Sequence, residues 1–241
     1  MRYAVFSDVH SNLEAFEAVL DEFKKCRIDR YLFLGDIVGY GASPQECITA
    51  LKLTEAVSVV GNHDGAVLGS IDTKDFNEVA QEAVLWTKEN IRESDKQFLS
   101  NLPLVQSEKK ICLVHGTLSR PQDFDYMIDG YQAMKSFYAL EVQICFIGHT
   151  HIPGIFVEEQ GKILYTRDAV IPVRNNKRYI VNAGSIGQPR DGDSRACFCI
   201  YDDAASRIEF KRIPYDIESA QRKILAAGLP KGLAHRLAVG R

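Results

Sequence analysis

Eight residues of metal-ligand type stand just after short apolar runs. Ala4-Val5-Phe6-Ser7 leads into Asp8 and His10, and Tyr31-Leu32-Phe33-Leu34-Gly35 leads into Asp36. Val57-Ser58-Val59-Val60-Gly61 leads into Asn62 and His63, with Asp64 next. Ile111-Cys112-Leu113-Val114 leads into His115, and Ile144-Cys145-Phe146-Ile147-Gly148 into His149 and His151. Of the six histidines only His235 lies outside this set. One histidine after an apolar run ordinarily makes a structural hydrogen bond. Five of them, beside two aspartates and an asparagine, describe one polar site.

A single ion takes about four to six donors of this kind. Eight suit two ions that share a bridging carboxylate. In Asp8-Val9-His10 and His149-Thr150-His151 the partners are two residues apart, so an extended backbone would aim both members at one site. Imidazole, carboxylate and amide donors without thiolate suit Mn²⁺, Fe, Zn²⁺ or Ni²⁺. So many imidazoles disfavour Mg²⁺ and Ca²⁺, which prefer oxygen shells. Mn²⁺ is the first choice because the Asn and Asp oxygens are hard ligands.

The elements that must position these groups are legible too. Apolar runs without polar alternation read as strands buried on both faces. Asp36 and its counterparts then sit at strand carboxyl ends, where open α/β sheets place ligands. Helices are expected over 12–25, with Asn12 as N-cap, and from 44, where Ser43 and Glu46 form a capping box around Pro44. Further helices are expected over 75–93, 94–101, 131–140 and 217–227. Residues 104–106 and 110–114 read as a hairpin. Beyond Ile152 the pattern turns to strands, with hairpins over 155–166 and 196–213 and a strand over 178–181. The expected architecture is one α/β domain over residues 1–241.

At 241 residues and a net charge of −3 the chain carries no basic footprint for bulk nucleic-acid binding. No apolar run approaches the roughly 18 residues that span a membrane, and strand one begins almost at Met1. The expected location is cytoplasmic. Four of the six cysteines, Cys112, Cys145, Cys197 and Cys199, lie inside apolar runs and read as small core hydrophobes. The basic stretch from Pro230 to Arg241 either stays solvated or packs at a homo-oligomer contact. Gly39-Tyr40-Gly41 reads as a plain turn or, alternatively, as a place where a phosphate approaches the backbone. Arg190 either contacts a substrate phosphate or pairs with Asp191 or Asp193.

These motifs resemble those of the calcineurin-like metallophosphoesterases. Asp8-Val9-His10, Gly35-Asp36, Gly61-Asn62-His63-Asp64, His115-Gly116 and Gly148-His149-Thr150-His151 occur in the family's order. Asn182-Ala183-Gly184-Ser185 is similar to an Asn-Pro-Gly-Ser turn of the small bacterial and archaeal members. Ser11 replaces a commoner glycine, and Ala183 replaces proline, a change expected to loosen the turn. The resemblance implies two packed mixed sheets flanked by helices, an αββα sandwich. It implies Asp8, His10, Asp36 and His151 around one ion, and Asp36, Asn62, His115 and His149 around the other. It makes His63 a residue facing the substrate, with Asp64 as its orienting partner.

The implied activity is hydrolysis of a phosphate ester, a phosphodiester before a monoester, by in-line attack of a hydroxide bridging two metal ions. Two divalent ions, two carboxylates and that hydroxide leave a site of about one net positive charge, suited to a phosphate. The expected partner is a small phosphorylated substrate, not a membrane. Alternatives are hydrolysis of dinucleoside polyphosphates or phosphoproteins and, from another class, a non-catalytic protein-binding scaffold on the same fold. A complete ligand set counts against the scaffold.

Overall fold

A computed structural model describes residues 1–74 and 76–241. Two six-stranded mixed sheets form its centre. In the first, β1 (Arg2–Phe6), β2 (Arg30–Phe33) and β3 (Val57–Ser58) run parallel. Antiparallel β11 (Ala196–Asp202), β12 (Arg207–Ile213) and β9 (Val170–Pro172) extend that sheet beyond β1. In the second, β5 (Ile111–Val114), β6 (Ile144–Ile147) and β10 (Arg178–Asn182) are parallel. Here β4 (Val105–Glu108) closes one edge, and β7 (Gly154–Glu159) with β8 (Lys162–Thr166) closes the other.

Alternation along the strands decides what packs where. Tyr3, Val5, Leu32 and Leu34 face Leu113, Phe146, Tyr179 and Val181 in the core between the sheets. Ala4, Phe6 and Phe33 point the other way. They meet Phe16, Val19 and Phe23 of α1 (Leu13–Cys26) and Ile48 and Leu51 of α2 (Pro44–Thr54). Across the second sheet, Val114, Cys145 and Ile180 cover Ala133 and Phe137 of α6 (Gly130–Ala139). The parallel strands are therefore buried on both sides, as their unbroken apolar runs require.

Several boundaries differ from expectation for local reasons. Asn12 caps α1 by accepting from Ala15 N at 3.2 Å, but Ser43 makes no side-chain cap and its box with Glu46 does not form. β3 stops at Ser58 because the chain leaves the sheet, where Val60 N donates instead to Pro103 O at 3.0 Å. Residues Asn62–Leu68 form an unforeseen short helix, α3. The two helices expected over 75–93 and 94–101 are present, with the first shorter at both ends. Asn77 caps α4 (Glu78–Glu89), a break follows, and α5 (Glu93–Ser100) begins four residues on. Asp75 itself lies outside the described residues.

The basic tail is not solvated. It forms α8 (Lys231–Val239), whose Leu233, Ala234 and Leu237 are buried against α7 (Ile217–Ala226), α4 and Tyr40. All six cysteines are free thiols, and five are buried. Among the described residues no helix is long and apolar enough to cross a membrane.

Candidate metal centre

The carboxyl ends of β1, β2 and β3 and of β5 and β6 converge, and the chain leaving each carries the predicted ligand residues. Asp8, His10, Asp36, Asn62, His63, His115, His149 and His151 are all buried there. The paired residues are not extended as expected. Asp8, His10, Asp36, His149 and His151 all have left-handed backbone, with φ between 49° and 67°. Each such residue costs on the order of 1 kcal/mol, and such strain concentrates at functional sites. Coiling, rather than strand alternation, aims the pairs inward. Gly35 makes the crowding possible. It has φ +98°, and a Cβ there would lie 2.6 Å from Gly61 N and 2.9 Å from His115 Nδ1.

Hydrogen bonds fix the tautomers of three imidazoles. Nδ1 of His10 donates to Val38 O at 3.0 Å, that of His115 to Leu34 O at 2.7 Å, and that of His151 to Gln188 O at 2.6 Å. A carbonyl only accepts, so each Nδ1 carries a proton, and in the neutral ring each Nε2 keeps its lone pair. Yet Nε2 of His10 and Nε2 of His151 lie 3.0 Å apart. Two lone pairs held that close fit a cation between them. Donors about 2.1 Å from an ion and at right angles are about 3 Å from one another.

The carboxylates share the same design. Asp8 accepts from His149 N with Oδ2 at 3.1 Å, and Asp36 accepts from His63 N with Oδ1 at 2.8 Å. The other oxygen of each is buried without a hydrogen-bond partner among the described residues. Asp8 Oδ1 lies 3.2 Å from His151 Nε2 and 3.7 Å from His10 Nε2. Asp36 Oδ2 lies 3.2 Å from His115 Nε2 and 3.7 Å from His10 Nε2, between the two groups. Asn62 Oδ1 lies 3.1 Å from His115 Nε2. Asp8–His10–His151 and Asp36–His115–His149 each bring their donor atoms within 4.8 Å of one another. Orphaned carboxylate oxygens facing imidazole lone pairs are the chemistry of a divalent metal site, and the residues fit such ions.

Electrostatics agree with this. Burial opposes ionisation of Asp8 and Asp36, but the facing imidazoles, His151 and His115 respectively, hold both carboxyls below the usual range. Burial, joined by neighbouring positive charge, pushes His149 down to about 3 and His10 well below its usual value. His115 is the exception. Burial alone would lower it, but Asp36 and Asp8 raise it to about 9, so its Nε2 gives up a proton when an ion binds.

His63 and Asp64 need a correction. Asp64 does not orient His63. Its carboxylate accepts from Asp36 N, Ile37 N, Val38 N and Gly61 N at 2.8–3.3 Å. It therefore shapes the loop that presents Asp36. Burial and the Asp36 charge push it up to about 7, against those four donors. His63 is held by packing. Its ring lies 4.4 Å from Tyr40, 5.1 Å from Phe76 and 4.9 Å from His10, centroid to centroid. Burial pushes it down to about 4. Gly39 is more than a turn residue, since a Cβ there would lie 2.6 Å from His63 Nδ1.

Arg190 pairs with neither Asp191 nor Asp193. Its Nη2 lies 2.9 Å from Gln188 Oε1 and 3.5 Å from Tyr40 Oη. Asp191 is taken by Arg167 and Arg212, and Asp193 by Arg195. The Ala183 substitution does not loosen its turn. Ala183 has the N–H that proline lacks and donates it to Ile147 O at 2.9 Å. Asn182 meanwhile holds the His149 loop through Gly148 O and Thr150 Oγ1.

A cavity of about 280 Å³ opens beside Asn62, His63 and His149, walled by Tyr40, Phe76, Phe124 and Tyr126. Tyr126 stacks on His149 with centroids 4.1 Å apart and planes 13° apart. No sequence pattern marks Phe124 and Tyr126 as wall residues, because they lie on a loop without periodicity.

Mixed sheets whose parallel strands end on a buried His/Asp cluster define a metallophosphoesterase sandwich. The chain belongs to the calcineurin-like phosphoesterase superfamily, whose domain model matches residues 1–205. It is 41% identical over 242 residues to the uncharacterized protein MJ0912 of Methanocaldococcus jannaschii, covering 99% of this chain and 98% of that one. The crystal structure of a metallophosphoesterase from Sphaerobacter thermophilus is 38% identical, with TM-score 0.87, covering 100% of this chain and 99% of that one. The fold is shared further with the hypothetical protein PH1004 of Pyrococcus horikoshii OT3, at 22% identity and TM-score 0.79, over 100% and 98% of the two chains.

Proposed function

We propose that the chain is a two-metal phosphoesterase, with phosphodiesters preferred to monoesters. One observation carries this reading. Two buried carboxylate oxygens without partners among the described residues face three Nε2 atoms whose rings are oriented by main-chain carbonyls at Nδ1. Asp8, His10, Asp36 and His151 would hold one ion and Asp36, Asn62, His115 and His149 the second, with Mn²⁺ the first choice over Fe, Zn²⁺ and Ni²⁺. Such ions supply Lewis-acid charge and bring the pKa of a water to about 7.

The chain's own residues do the rest. Asp36 ties the two groups together through Oδ2 and is itself fixed by the His63 amide. Asp64 holds the Asp36 loop from below through its four amide contacts. His63, uncharged at neutral pH, offers an N–H hydrogen bond to the leaving oxygen from the wall of the cavity. Arg190, which reaches Tyr40 Oη at 3.5 Å, neutralises a phosphate oxygen. Tyr126 and Phe124 pack on the leaving group. A reducing, cytoplasmic setting goes with this reading, supported by six free thiols.

The test is a panel of alkyl and aryl phosphodiesters and monoesters, run on metal-depleted protein with Mn²⁺, Ni²⁺, Zn²⁺ or Mg²⁺ restored in turn. Metal-dependent turnover, fastest on a diester with Mn²⁺, is expected. Turnover that is indifferent to metal depletion would contradict the proposal.

A further inference from the structure

A second cavity adjoins the one beside the metal centre. It holds about 270 Å³ and shares Ile71, Gln122 and Phe124 with its neighbour as a common wall. Helix α3 runs along both. Its first residues, Asn62 and His63, line the metal-side cavity, and Gly65 and Leu68 line the second. Left-handed backbone at Gly69, with φ +77°, ends the helix and turns the chain back so that Ile71 meets Gly65. A Cβ at Gly65 would lie 2.5 Å from Ile71 Cδ1, so the missing side chain lets Ile71 sit that close.

The two cavities differ in chemistry. Around the first, Asn62, His63, Asp72, Asn77 and Asp123 stand among aromatic rings. The second is walled by Val60, Leu68, Leu99, Leu102 and Leu104, with Ser70 and Ser100 at its edge. Both hydroxyls are engaged, Ser70 Oγ donating to Gly65 O and Ser100 Oγ to Gln97 O, each at 2.9 Å. The main chain is engaged too. Val60 N donates to Pro103 O at 3.0 Å, and Gly65 O accepts from Ser70 N at 3.0 Å. A nucleobase or sugar needs placed donors and acceptors to fix it. Among the described residues, Gln122 on the common wall is the side chain left to supply them, and Phe124 is the one ring available for stacking. Aliphatic walls of this kind suit a hydrocarbon chain. Leu104 is 39% exposed and Leu68 and Leu102 are half-buried, so such an occupant removes leucine surface from water. Size agrees, since small-molecule sites usually enclose about 300–1,000 Å³. Neither cavity reaches that alone, and the two joined along their common wall do.

On the phosphoesterase reading proposed for this site, we infer that the second cavity is a subsite for a hydrocarbon chain carried by one ester group of the substrate. The phosphate lies at the metal centre, and the first atoms of that ester group pass His63 and Phe124 through the metal-side cavity. Its aliphatic end lies among Leu68, Leu102 and Leu104. Amphipathic phosphoesters are then preferred to compact ones.

Calorimetric titration of Mn²⁺-loaded protein with n-alkylphosphonates from ethyl to octyl, whose C–P bond resists hydrolysis, tests this without turnover. Affinity should rise roughly three- to fourfold per methylene that enters the second cavity, so that octyl exceeds ethyl by about 10²-fold or more. Leu104→Asp charges the aliphatic wall, and Ser100→Phe fills the cavity from the end of α5. Both positions are exposed, and circular dichroism checks that each variant is folded. Each should cut the octyl-to-ethyl ratio at least about tenfold while leaving ethylphosphonate within about twofold. Leu53→Asp, at an exposed position on α2, should leave the ratio unchanged. A ratio near one in wild type, or a high ratio that survives both cavity variants, would overturn the inference. So would AMP losing affinity in those variants while octylphosphonate keeps its own, because the cavity would then hold a base. Repeating the ethylphosphonate titration on metal-depleted protein separates the two claims. Binding that survives without metal counts against the metal-site reading, whereas the octyl-to-ethyl ratio reports on the second cavity.

Discussion

On the floor of the site, His10, His115 and His151 each give Nδ1–H to a main-chain carbonyl at 2.6–3.0 Å. On the wall, among the described residues, His63 and Tyr126 are held by ring contacts, His63 against Tyr40 and Phe76 and Tyr126 flat against His149. A carbonyl fixes both the direction and the proton of an imidazole, which a metal ligand needs. A ring contact fixes neither proton nor partner, and it suits groups that must meet a substrate. The floor belongs to strand ends and the wall to loops and helices, so metal chemistry can stay constant while the substrate surface changes.

The sharpest way to break this contrast is at the residue both ion groups share. Asp36→Asn removes the charge that faces His10 and His115 from between the groups. It should lower occupancy of both ions together and abolish turnover, as read by elemental analysis and a diester assay. Two fully occupied ions in an active variant would mean that the floor is wrongly assigned.

The next effect lies on the wall. His63→Ala should keep both metals, lose on the order of 10²-fold on alkyl diesters, and lose less on aryl diesters, whose leaving groups need less help. Equal losses on the two, with metals intact, would make His63 a substrate-positioning residue. A His115→Ala variant should behave oppositely and lose metal. Tyr126→Ala should be milder. Stacking of this kind is worth about 0.5–1.5 kcal/mol, so KM should rise roughly two- to tenfold with metal content unchanged. A fall in metal content would place Tyr126 with the floor instead.

The smallest effect lies away from both regions. Asp95, buried on α5, accepts from Arg92 Nε at 2.7 Å and Lys52 Nζ at 3.0 Å. Burial opposes its ionisation, but those bonds hold its carboxyl below the usual value. Because the folded pKa is depressed, its stabilisation is present above the unfolded value of about 3.9 and is lost as pH falls. Asp95→Ala should cost about 1–3 kcal/mol at pH 7 and less below pH 4, with activity per bound metal unchanged. Denaturant melts at the two pH values check this, and an equal cost at both would mean the ion pairs contribute nothing.

Much of the floor was legible in the sequence. Short apolar runs announce buried parallel strands, and each run gives way to a residue of ligand type, so Asp8, Asp36, Asn62, His115 and His149 could be grouped by pattern alone. The manner of their grouping could not. Left-handed backbone at Asp8, His10 and His151 is uncommon even for Asp and His, which adopt it more readily than most residues, so local propensity does not announce it. Asp64 looked like a partner for the adjacent His63, yet its four amide donors come from residues 36–38 and 61, which only the fold brings beneath it. The wall was least legible. Tyr126 lies on a loop without periodicity, and α8 has weak amphipathic character until Tyr40, α4 and α7 supply the apolar surface it covers.

The central claim is that one floor holds two ions joined through Asp36. Metal-depleted protein titrated with Mn²⁺, monitored in parallel by electron paramagnetic resonance and by diester turnover, tests it most directly. The expected result is saturation at two equivalents, with the signal of a spin-coupled Mn²⁺ pair and with activity growing as the second equivalent binds. Saturation at one equivalent, with an uncoupled six-line signal and full activity, would contradict it.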